Sequence, residues 1–429
     1  DEALGKADKL DAKTSRERDY LVAMAAFYGG SEKRDYQSRA DAYTKAMQQM
    51  YEKYPDDREA AAFYALSLLA SEPDSDTTFT HRKQAAAVLE KLFQVEPDHP
   101  GVAHYLIHSY DSPQMAQLGL PAARRYAKLA PAAPHALHMP SHIFARLGLW
   151  QDDIDSNLAS IAATRKTVAM HMGGEGHQFH AMHYLVYAYL QSGRESEAKH
   201  VLDDIKGMPP MKDMYGMGFD PRAAALSELS GIYALELHHW SEAASLPLVP
   251  GASAVDNDAV YWARAIGAAK GGNIAEAQKD LKAIQAIRKK LLSEKKKDFA
   301  EVAQDDYREA SAWLAHAQGK DDQAVREMRA LAEKQESVAA EPMSVPAREM
   351  LADMLLEMKR PEQALAEYQA DLKNNPNRFN GLYGAARASE MTGNTAKAND
   401  YYSQLLKVCA GSESDRPELA HAKQLLAEK

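Results

Sequence analysis

Nine of the chain's sixteen histidines fall in one stretch: His104, His108, His135, His138, His142, His171, His177, His180 and His183. A neutral imidazole is a good ligand for zinc, iron, copper or nickel. The spacing sharpens this. His104 and His138 stand 34 residues apart, and so do His108 and His142. Within each pair the two residues are one helical turn apart, so both rings lie on one face of a helix. Two imidazoles from one helix and a third from a neighbour about 8–10 Å away would make a three-ligand set with an open coordination position, the pattern of catalytic zinc. Neither pair is followed by the glutamate of a zinc-protease helix, because Tyr105 and Met139 occupy those places.

Acidic and phenolic groups could complete such a site. Glu59 and Glu228 occupy related helix positions in flanking segments, and Glu175 lies beside His177 in a glycine-rich join. Each is a candidate ligand, orienting group or general base. Tyr187 takes the ninth position of its helix, where the two preceding segments carry His108 and His142, and could donate a hydrogen bond to a bound group. Met139, Met170, Met172 and Met182 stand among the histidines, and thioether sulfur adds copper to the candidate metals. Zinc or iron is the preferred expectation.

The elements that must position these groups are helical. Tyr54-Pro55, Glu96-Pro97, Ala130-Pro131 and Asn375-Pro376 each precede an alanine- and leucine-rich run. Each run then meets a small turn, marked by Gly148, Gly193, Gly272, Gly319 or Gly393, and a second helical run. Five residues after most of these glycines stands an alanine (Ala198, Ala277, Ala324, Ala398), while Asp153 takes that place after Gly148. A glycine supplies the left-handed turn and a small residue lets two helices cross closely. Counted from Pro97 and Pro131, His104 and His138 fall at the fifth helical position, His108 and His142 at the ninth, and His135 at the second. His180 and His183 fall at the second and fifth positions of the next unit. These three positions lie within about 60° on a helical wheel.

With this layout and period, best seen over 345–376 and 379–407, the chain resembles the tetratricopeptide repeat (TPR) family over most of residues 15–407. The stretch His135–Asp153, with Leu147-Gly148-Leu149-Trp150, is similar to a bacterial TPR subgroup. The resemblance implies an all-α, right-handed superhelical solenoid of about ten hairpins, whose first helices line a concave surface. It also implies a peptide, small-molecule or protein partner in that groove. The segments expected are N-terminal helices over 1–55, histidine-rich repeats with inserted loops over 56–256, and C-terminal repeats with a capping helix over 257–429. Insertions are read at 71–80, 111–119, 167–178 and 207–221.

Bulk properties narrow the function. The formal charge is −10 and no basic stripe dominates. The densest cation run, Lys289-Lys290 and Lys295-Lys296-Lys297, is interrupted by Glu294 and reads as a solvated helix end, so no nucleic-acid partner is expected. No apolar run of 18 residues exists, so no membrane span is expected. A single cysteine, Cys409, excludes an internal disulfide and a thiolate cluster. Gly173-Gly174-Glu175-Gly176 lacks the following lysine of a phosphate loop. The chain starts at Asp1, which fits a cytoplasmic protein or an exported one whose signal has been removed. Two functions remain. One is a metal-binding cluster, with or without catalysis, built from His104, His108, His135, His138, His142, His177, His180 and His183. The other is a non-enzymatic scaffold that binds a peptide or partner protein in the same groove.

Overall fold

The structure is a computed structural model that describes residues 4–6, 12–73, 76–172, 174, 176–211, 220–253, 255–338 and 343–427. Among these it contains 22 helices of four residues or more and no strand. Counting Pro134–His138 and Pro140–Arg146 as one kinked helix, they form ten helical hairpins and a terminal helix, Pro417–Ala427. None is long and apolar enough to cross a membrane. The chain divides into two compact units, Asp1–Pro131 and Ala132–Lys429. The division falls inside the histidine-rich stretch, placing His104 and His108 in the first unit and the other clustered histidines in the second.

The first unit holds three hairpins. Its helices Arg58–Ala70 and Pro100–Tyr110 pack side by side, each against its own second helix. Caps fix where they start: the Asp57 carboxylate accepts from Ala60 N at 3.2 Å, and His99 Nδ1 accepts from Val102 N at 3.2 Å. Both satisfy amide donors that a first turn leaves unpaired. The expected insertion at 111–119 is shorter than read, because helix Ala116–Leu129 already begins at Ala116.

The second unit holds seven hairpins with one recurring turn. The residue after the left-handed position donates its amide to a carbonyl five residues back: Leu149 to Phe144, Arg194 to Tyr189, Asn273 to Ala268, Lys320 to Ala315 and Asn394 to Ser389. This closes the helix end by the 6→1 bond of a Schellman turn. Two further hairpins use the same bond without glycine. His238 (φ 54°) and Lys359 (φ 56°) take the left-handed place, with His239 bonding to Ala234 and Arg360 to Leu355. Their trace in the sequence is the alanine five residues on, Ala243 and Ala364, both fully buried like Ala198, Ala277 and Ala324.

First helices of successive hairpins touch along the second unit, from Pro134–Arg146 through His177–Gln191, Pro221–Glu236, Asp258–Lys270, Lys297–Ala317 and Ala347–Glu357 to Phe379–Met391. The layer then closes on itself, because Phe379–Met391 also touches His177–Gln191. Asn377 Nδ2 donates to Gly148 O at 3.2 Å, Trp150 Nε1 donates to Asn377 O at 2.8 Å, and Ser414 Oγ donates to Glu195 Oε1 at 2.6 Å. These contacts bring the last hairpin of this unit against its first two. Arg378 is wholly buried there, with Nε and Nη2 forked on Glu349 at 2.9 and 2.7 Å and Nη2 on Glu236 at 2.7 Å.

Candidate metal centre

The helix that carries His138 and His142 is bent. Pro140 has no amide to donate and its ring crowds the preceding turn, so helix Pro134–His138 ends at Met139 and Pro140–Arg146 begins anew. The sequence reading treated this stretch as one regular helix. Met139 keeps helical dihedrals (φ −51°, ψ −34°), so the two histidines still share a face.

The His138 and His142 rings meet with their Nε2 atoms 3.1 Å apart. Two ligands about 2.0–2.1 Å from one tetrahedral ion lie roughly 3.3–3.4 Å from each other, so the pair is nearly at chelating distance. His180, from helix His177–Gln191, brings a third ring, with centroids 4.6 Å from His138 and 5.6 Å from His142. One ring nitrogen of each of the three lies within 4.8 Å of the others. His138 and His142 are buried, at 3% and 6% exposure, and His180 is partly exposed. Among the described residues no carboxylate joins this group.

Hydrogen bonds on the far side of the rings orient them. His138 Nδ1 lies 2.7 Å from Asn157 Oδ1 and 3.3 Å from Ser141 Oγ. His142 Nδ1 lies 3.0 Å from the Tyr184 hydroxyl. Burial holds the His138 pKa well below its ordinary value, and the neighbouring His142 and His180 add to this. At neutral pH its imidazole is uncharged, the form that binds metal.

The other expected site residues lie elsewhere. His104 and His108, in the first unit, form a similar pair with Nε2 atoms 3.1 Å apart, and His104 stacks on Tyr126 at 5.2 Å. Glu59, also in the first unit, is hydrogen-bonded to His99 at 3.0 Å. His135 stands at the exposed start of its helix, its ring centroid 6.4 Å from that of His138, and desolvation, with the nearby His177 and His142, lowers its pKa. His177 is exposed at the start of helix His177–Gln191. His183 faces Glu228, its Nε2 3.5 Å from the carboxylate, and is not a member of the three-ring group. Glu175 lies outside the described residues. Tyr187 is turned away from the histidines, with its hydroxyl accepting from Arg378. It is Tyr184, three residues earlier, that meets an imidazole. Asn157 was not singled out from the sequence; its signal was the polar residue Asp153, standing at an alanine position one turn before it.

No protein-family profile matches the chain, and no curated protein matches it. Among solved structures it is similar to a human IFIT1 dimer with m7Gppp-AAAA, at 14% identity over 95% of this chain and 86% of that one, with a TM-score of 0.39. It is similar to a tetratricopeptide repeat protein from Parabacteroides merdae at 16% identity, over 68% of this chain and 97% of that one, with a TM-score of 0.34. It is similar to yeast Tom70 at 10% identity over 96% of each chain, with a TM-score of 0.34. The assignment of helical hairpin repeats rests on this chain's own turns and packing.

Proposed function

We propose that the protein binds one divalent transition metal through His138, His142 and His180 and uses the open coordination position for metal-assisted chemistry on a small substrate. Zinc or iron is the preferred ion and copper the further candidate. The observation that supports this most is the buried pair of facing Nε2 atoms 3.1 Å apart, beside a third imidazole. Three neutral nitrogens leave the ion its full charge, which is the condition under which bound water on zinc ionises near pH 7. Hydrolysis or oxidation of a small molecule is the reaction class this would serve. A long peptide suits the second unit less well where the last hairpin meets helix His177–Gln191 and buries Arg378 and Phe379. A peptide or protein partner would engage the remaining repeat surfaces.

The test is elemental analysis of untagged protein purified without chelators, beside the His138→Ala/His142→Ala variant. The proposal expects about one equivalent of metal in the parent and its loss in a variant of unchanged helicity. Absence of metal from both proteins, even after reconstitution with zinc, iron and copper, would overturn it and leave the non-enzymatic scaffold.

A further inference from the structure

The hairpin of the metal centre breaks the repeat rule at two buried positions. Five residues after the left-handed turn residue, the other six hairpins of the second unit carry alanine: Ala198, Ala243, Ala277, Ala324, Ala364 and Ala398. This hairpin carries Asp153, at 0% exposure. Nine residues after the turn, five of the others place a large buried side chain (Leu202, Leu281, Met328, Tyr368, Tyr402) and the sixth has Pro247. This hairpin has Asn157, also at 0% exposure. Burying a polar side chain where the fold accepts an apolar one costs free energy unless a partner compensates. Asn157 meets His138, and Asp153 stands one turn before Asn157 and contacts it.

The bonds explain the pair. Asn157 Nδ2 donates to the Asp153 backbone carbonyl at 3.0 Å and to Asp153 Oδ1 at 2.6 Å. A backbone carbonyl only accepts, so turning the amide over would set its oxygen against Asp153 O, and Oδ1 is therefore the atom that meets His138 Nδ1 at 2.7 Å. An acceptor at that place requires the proton on His138 Nδ1. The lone pair is then left on Nε2, the atom that faces His142.

We propose that Asn157, anchored by Asp153, is a positioning residue that sets the tautomer of His138 and so presents its unprotonated Nε2 to a metal. The ligand role of His138 rests on the metal reading above; the tautomer does not. Ser141 Oγ, 3.3 Å from the same Nδ1 and 3.5 Å from Asn157 Oδ1, closes this side of the ring. Removing an orienting partner of a metal-bound histidine typically weakens metal affinity about 10–100-fold.

The experiment compares the full chain with Asn157→Ala and Asp153→Ala. The second variant restores the residue used at this place in the six other hairpins, so it keeps a folded reference if the first fails to fold. The readouts are the His138 tautomer, by nitrogen-15 NMR of ring-labelled, metal-free protein, and zinc affinity by competition with a chromophoric chelator. The parent is expected to hold His138 in the Nδ1–H form. Asn157→Ala should lose that preference and bind zinc about 10–100-fold more weakly. Asp153→Ala should shift both in the same direction by less, with unfolding stability equal to or above the parent's. An Nδ1–H tautomer unchanged in both variants would overturn the proposal. If the parent binds no metal, the metal reading fails while the tautomer comparison still decides the role of Asn157.

Discussion

Among single residues, Tyr184 separates ring orientation from ligand identity. Its hydroxyl lies 3.0 Å from His142 Nδ1, and the side chain is fully buried. Tyr184→Phe should keep the fold, with stability lowered by about 1 kcal/mol for the lost bond, and weaken metal binding by about tenfold or more. Tyr187→Phe should leave metal affinity unchanged and reduce stability instead, because its hydroxyl serves Arg378. Metal titration of the two variants side by side checks this; equal effects on affinity would contradict it. His138 and His142 stood out in the sequence because the 34-residue period repeats them from His104 and His108, whereas His180 lies outside that period. The groups behind them stood out less. Asn157 lies on the second helix of its hairpin, 19 residues from His138, and no first-helix register brings the two together. Tyr187 and Tyr184 lie three residues apart on one helix, and side-chain packing, not spacing, decides which of them turns toward the imidazoles.

Among the elements, the turns carry the fold, and they do not carry it equally. Gly148 (φ +62°) could not take a Cβ without placing it 2.2 Å from the Pro376 carbonyl oxygen, whereas a Cβ at Gly319 (φ +72°) meets nothing within 4 Å. Gly319→Ala should cost the left-handed penalty alone, about 1–2 kcal/mol. Gly148→Ala should add the clash, for a total of roughly 2–5 kcal/mol. Urea unfolding of both variants measures the difference, and equal losses would show that the contact with Pro376 contributes little. The glycine turns were readable, since glycine is the residue that enters the left-handed region most easily. The left-handed backbone at His238 and Lys359 was not, because there the hairpin imposes that conformation on a residue with no strong preference for it. The bend at Pro140 follows from an ordinary rule about proline, yet its consequence for the histidines depends on Met139 keeping a helical backbone, which only the folded chain reveals.

Across the whole chain, the second unit is held by charges as well as by its apolar core. Arg378 stands between Glu236 and Glu349, all three at 2% exposure or less. Arg378→Met would leave two buried carboxylates without their cation and should cost about 3–5 kcal/mol, measured by urea unfolding. Glu309 gives this unit a pH dependence. It accepts from Trp262 Nε1 at 2.8 Å and Gln335 Nε2 at 3.0 Å, yet burial pushes its pKa up from 4.5 to about 7. The folded state therefore keeps a proton that the unfolded chain releases above pH 4.5. The stability this group contributes is full below that pH and is lost as pH rises through about 7, by up to about 3 kcal/mol. Glu309→Gln should flatten the stability profile between these limits, and an unchanged slope would contradict the assignment. The repeat architecture was legible from turn glycines and alanine positions, but the closure of the second unit was not, because residues 148 and 377 are related by no local pattern. The central claim remains the three-histidine metal centre. X-ray absorption at the edge of the bound metal tests it most directly. The account predicts nitrogen ligands at about 2.0–2.1 Å with outer-shell scattering from three imidazoles, lost in the His138→Ala/His142→Ala variant; a spectrum without imidazole scattering, or one unchanged in that variant, would contradict it.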